Sequence, residues 1–190
     1  MRIRNILLAA GTLAILAMPA TVLAKARHDV QPFSASGYLC LAQLPVDIQF
    51  APTPVGVKIE ASGEVLFGQI QQSTGWDDIE GASVAVTIAK EESSFNFASK
   101  TFVGQIDGSI DIALASGPIT GSVKGVISGA FADPNDIVGT IYTSTPRVVW
   151  EAEGADVKTT GIGSATFVVD PANPFAYCGT LNLVGVAKSK

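Results

Sequence analysis

From Thr101 to Leu114 every even position is apolar or glycine (Phe102, Gly104, Ile106, Gly108, Ile110, Ile112, Leu114), and the odd positions are mostly polar. Side chains of an extended chain alternate between two faces. A period of two held this long therefore describes one long strand with a single buried face. Asp107-Gly108 has the composition of a two-residue hairpin turn. A turn there would throw Phe102 and Ile106 onto the face opposite Ile110 and Ile112, so the continuous strand is the better reading. The alternation resumes at Ile119, Gly121, Val123, Gly125, Ile127, Gly129 and Phe131. Between the two runs, Ala115-Ser116-Gly117-Pro118 has the makings of a four-residue turn. A hairpin folded there is expected to pair Ile110 with Val123, Phe102 with Phe131 and Gly108 with Gly125. Long strands coil, and glycines on the apolar face let them bend, which favours a barrel or a sheet folded over on itself.

The rest of the chain uses the same material in shorter pieces. Val55-Val57-Ile59, Glu64 to Ile70, Val84-Val86-Ile88, Phe95-Phe97, Ile137 to Thr143, Arg147 to Glu153, Val157 to Val169 and Phe175 to Ala187 read as strands. Ser62-Gly63, Asp133-Pro134-Asn135-Asp136, Thr145-Pro146, Gly154-Ala155-Asp156 and Asp170 to Pro174 bend or interrupt them. Ser73 to Glu80 is the most loop-like stretch, and Gln31 to Pro54 is the hardest to assign. No sustained helical period appears after the N-terminus. The expected fold is all-β: a single-domain antiparallel up-and-down β-barrel of about 8–10 strands, with a β-sandwich as the alternative.

Two ends of the chain bear on closure and compartment. Cys40 and Cys178, the only cysteines, lie in the first and last strand regions. A disulfide between them brings those regions within about 7 Å, as a closed sheet demands. At the N-terminus, Arg2 and Arg4 precede an apolar run from Ile6 to Met18, then Pro19 and the small-residue site Val22-Leu23-Ala24. This is the pattern of a cleaved signal peptide helix over residues 1–24, leaving a domain of residues 25–190 in the periplasm or outside the cell, where a disulfide persists.

Charge and side-chain inventory narrow the function. Without Arg2 and Arg4, 10 basic residues face 17 acidic ones, a net charge of −7. The basic residues are scattered singly, which argues against nucleic-acid binding. The one histidine, His28, stands near the start of the mature chain, so imidazole-based catalysis and zinc ligation are not expected. Glu151 and Glu153 share a strand face at a spacing compatible with a glycosidase pair. Asp133, Asn135 and Asp136, or Asp77, Asp78 and Glu80, carry oxygens that bind calcium in other loops. Turn formation and solvation explain these acids more simply, and no metal or cofactor is expected. Phe67, Phe102, Phe131, Trp150, Phe167 and Tyr177 lie on strands and are candidates to line an interior cavity. The leading expectation is an exported, non-catalytic barrel binding a small apolar ligand. The alternatives are a structural or adhesive module binding protein or glycan, for which Tyr142 and Trp76 are the candidate exposed aromatics, and a small outer-membrane barrel.

Overall fold

The computed structural model describes residues 30–137, 140–169 and 177–190. The proposed signal peptide and His28 lie outside these residues. The elements are β1 (Val30–Gln43), β2 (Asp47–Thr53), β3 (Gly56–Ser62), β4 (Glu64–Thr74), β5 (Ser83–Asn96), β6 (Thr101–Leu114), β7 (Gly117–Phe131), β8 (Ile141–Glu153), β9 (Val157–Val168) and β10 (Cys178–Ser189), with a 3-10 turn at Asp77–Ile79. All are antiparallel. β5 through β10 follow one another as neighbours, β10 pairs with β1, β1 with β4, and β4 with β5. Eight strands thus close into a ring. β2 and β3 form a hairpin that continues β1 and β4 above the ring and docks through β3 on the upper half of β5.

Every inward position of β6 is buried and every outward one exposed, so the continuous strand holds and Asp107-Gly108 makes no turn. The hairpin register differs from the expected one by two residues. The turn contains only Ala115 and Ser116, and Ile110 faces Gly121, Ile106 faces Gly125, and Phe102 faces Gly129. These three large residues therefore meet glycines, while Ile112 faces Ile119. The reason is space. A Cβ on Gly129 would come 2.4 Å from the Phe102 ring. The tighter turn is also tied down by the 3-10 segment, where Asp78 accepts hydrogen bonds from the Ser116 backbone N–H and hydroxyl.

Other boundaries shift for identifiable reasons. Val84 to Ile88 and Phe95 belong to one strand, β5, while Phe97 lies in the exposed turn beyond it. Thr145-Pro146 does not interrupt β8. Proline brings no N–H, and the β8–β9 ladder skips Thr145 and Pro146 while pairing with β7 runs straight through. β8 starts at Ile141, not Ile137. Part of the strand expected from Phe175 falls outside the described residues, and β10 runs from Cys178.

Two apolar clusters fill the ring. The lower one gathers Phe33, Ile70, Trp76, Ile79, Ile112 and Trp150 among others, with the Trp76–Ala82 segment folded across the end. Trp76 is 6% exposed, so it is core and not a surface aromatic. The upper cluster is Val57, Ile59, Phe95, Phe102 and Phe131, with Phe95 and Phe102 stacked at 4.6 Å.

Cys40 and Cys178 are directly opposite in the β1–β10 ladder and are bonded, with Cα atoms 3.9 Å apart. The bond spans 138 residues, which on the chain-entropy scale corresponds to about 5 kcal/mol. In denaturant titrations, Cys40→Ser/Cys178→Ser is expected to lower stability by about 3–5 kcal/mol. The hairpin makes a second expectation. A Cβ on Gly108 or Gly125 would meet the Thr87 or Arg147 carbonyl oxygen at 2.2 and 2.1 Å. Gly108→Val and Gly125→Val should each cost about 3 kcal/mol through overpacking; unaltered unfolding midpoints would show that the strands do not approach this closely.

Candidate functional site

Between the two clusters the ring leaves a cavity of about 180 Å³. Its lower wall includes Trp150, Ile110 and Leu183, and its upper wall Phe95, Phe102 and Ile127. Leu44, Pro45 and Ile48, where β1 passes into β2, also line it, and Leu44 and Ile48 are themselves exposed. The lining is aliphatic and aromatic except for Glu64, Glu91, Ser144, Ser164, Tyr177 and the indole of Trp150.

The two carboxyls reach the interior through breaks in strand phase. Along β3 the odd residues Val57 and Ile59 point inward; along β4 the even residues Leu66 and Ile70 do. Gly63, at φ +80°, makes the switch and turns Glu64 to the inside. In β5 the even residues Val84 and Ile88 are buried, then the odd residues Ser93 and Phe95. An extra residue between Ile88 and Lys90 shifts the register against β6. Such a bulge re-aims everything beyond it. Glu91 consequently faces the cavity, while Lys90 and Glu92 face outward and pair with each other, Glu92 also pairing with Lys58. The two breaks are adjacent, since the Gly63 N–H donates to the Ile88 carbonyl at 2.8 Å.

Each carboxyl has one hydroxyl partner. The Tyr177 hydroxyl donates to Glu64 Oε1 at 3.0 Å, and the Ser93 hydroxyl donates to Glu91 Oε1 at 2.5 Å. Tyr177 immediately precedes Cys178, its carbonyl accepts the Leu41 N–H at 2.9 Å, and its ring packs edge-on against Phe167. The disulfide thus holds the residue next to the one that binds Glu64. Burial, and then the charge of Glu91, push the Glu64 carboxyl up to about 7, against the lowering effect of the Tyr177 hydrogen bond. Burial likewise raises Glu91, opposed by Ser93, and raises the Tyr177 phenol. Trp150 is 1% exposed, and its indole N–H, over Gly161, has no hydrogen-bond partner among the described residues.

Of the aromatic residues singled out from the sequence, Phe102, Trp150, Phe167 and Tyr177 line the cavity. Phe131 is fully buried in the upper cluster beside it. Phe67 is a correction: it is 51% exposed on the outer face, directly opposite Cys40, because the phase set by Gly63 turns Leu66 inward. Glu151 and Glu153 are on the outer face, where Glu153 pairs with Lys190 at 2.6 Å. Asp133 organises its own turn by accepting from the Asn135 N–H. Glu64 and Glu91 were not recognisable as a pair in the sequence. The available signal was the mismatch of phase between Val84-Val86-Ile88 and Phe95 within one strand.

No protein-family model, curated protein sequence or solved structure matches this chain, so the reading of the cavity rests on its geometry.

The raised carboxyls have a measurable consequence. The folded protein keeps their protons to a higher pH than the unfolded chain does. For Glu64 this contribution to stability is complete below the ordinary glutamate range and is lost as pH rises from about 4.5 to about 7. The melting temperature is expected to fall across that window, and Glu64→Gln should flatten the fall. An identical pH profile in the variant would place Glu64 in an ordinary aqueous environment.

Proposed function

We propose that this protein is an exported, non-catalytic β-barrel that binds a small, largely apolar ligand inside the ring. The observation that carries the reading is the apolar cavity between the two core clusters, with Glu64, Glu91 and Tyr177 among its few polar groups. Cavities of this kind, mostly apolar with a few placed polar groups, are the usual form of a small-molecule site. Two carboxyls also invite a glycosidase reading. The wall is too poor in hydrogen-bonding groups to clothe a sugar, which favours binding over hydrolysis. The disulfide points to a non-cytoplasmic compartment, in keeping with a leader over residues 1–24 and a periplasmic or extracellular destination.

The outer-membrane alternative fares less well against the distribution of polarity. Membrane barrels carry an apolar band outside and polar groups inside. Here the core is inside, and Lys58, Lys90, Lys124 and Lys158 form ion pairs on the outer face. A surface-binding role retains one supporting feature. Val149, Ile162 and Val184 stand opposite one another on adjacent strands and are each more than half exposed.

Native mass spectrometry of the protein purified from its host without detergent tests the proposal. The expected result is an additional mass that leaves on organic extraction. Ala165→Leu, which fills the cavity from a buried lining position, should abolish it while leaving the fold intact. A bare mass in both proteins would overturn the ligand-binding reading, and a complex with a second protein would favour the outer surface.

A further inference from the structure

Among the described residues the cavity is lined by two acids and by no Lys, Arg or His. The lysines that form ion pairs do so on the outer face with Glu60, Glu92, Asp107 and Glu153. Inside, Tyr177 and Ser93 each occupy one oxygen, Oε1, of Glu64 and Glu91. The two Oε2 atoms have no hydrogen bond from any described residue and are not sealed from solvent-sized molecules. A carboxylate facing apolar surroundings is unfavourable unless a charged partner or a proton compensates it. The described residues provide hydroxyls for half of each group and leave the other half open.

We propose that the ligand of this cavity is a small apolar amine, whose ammonium group sits between the free oxygens of Glu64 and Glu91 while its ring or short chain fills the apolar space. The inference rests on the ligand-binding reading above. An ammonium brings a full positive charge and three N–H donors with no acceptor, which suits two open carboxylate oxygens. A carboxylate or phosphate head would face two acids with no cation among the described residues to receive it. Size sets the other limit. A cavity of about 150 Å³ takes up benzene, and this one, about 180 Å³, accommodates a single ring or a few methylenes beside the ammonium. The raised proton affinity of both carboxyls without a cation agrees with a site completed by a positive ligand. Binding should then release protons from the pair.

Three probes of nearly equal shape separate the possibilities: 2-phenylethylamine, 2-phenylethanol and 3-phenylpropionate, titrated calorimetrically into the disulfide-bonded protein at pH 8. The amine is expected to bind at least about tenfold more tightly than the alcohol, as charge-assisted hydrogen bonds exceed neutral ones, with the carboxylate weakest. In Glu64→Gln/Glu91→Gln, which keeps shape and removes charge, the advantage of amine over alcohol should disappear. Equal binding of amine and alcohol, or an advantage that survives in the double variant, would overturn the amine inference and leave the cavity reading standing. Failure of all three probes to bind would overturn both.

Discussion

The ladder between the first and last strands is the constraint on which the rest depends. β1 and β10 pair from Val30–Lys188 to Cys40–Cys178, and the disulfide ends that run. An up-and-down sheet of long coiled strands otherwise exposes two edges, each a row of unpaired backbone groups. Closing the seam removes both edges along the ring and makes the inward face of every strand part of one interior. It also holds the chain just before Cys178, where Tyr177 reaches Glu64. A covalent bond on the outside of the barrel thereby holds a hydrogen bond on the inside.

Regularity and irregularity have different tasks in this barrel. β6 keeps perfect alternation, and with β7 it forms a wall in which large residues fit against glycines. The opposite wall is creased. β1 passes into β2 at Leu44–Val46, β3 into β4 at Gly63, and β5 carries an extra residue beyond Ile88. Each crease reverses which side chains face inward. A one-residue shift of this kind places a polar side chain where an apolar one would otherwise stand. The two carboxyls enter the cavity at adjacent creases, which is why they stand close together in its wall.

Much of the architecture was legible from residues alone. The alternation in Thr101–Phe131 identified two long strands, and the Cys40/Cys178 pair implied a closed arrangement. Both signals are local or topological and survive ignorance of the neighbours. The hairpin register was not legible to within two residues. Pairing Phe102 with Phe131 and pairing Phe102 with Gly129 satisfy the same alternation, and the space required by the Phe102 ring and the hold of Asp78 on the turn separate them. Pro146 looked like a break, but a proline can stay in a strand where the ladder on one side skips a rung.

The sequence by itself determined the class of fold, the disulfide and the identity of most aromatic residues of the interior, because side-chain period and covalent chemistry are properties of the chain. Only the tertiary structure decided which acids face the cavity. Glu64 and Glu91 stand in the chain among other acids no different in kind, and Phe67 resembles an interior residue as well as Phe102 does. A bulge or a strand break depends on pairing with a neighbouring strand, and that pairing decides on which side of the sheet each later residue falls.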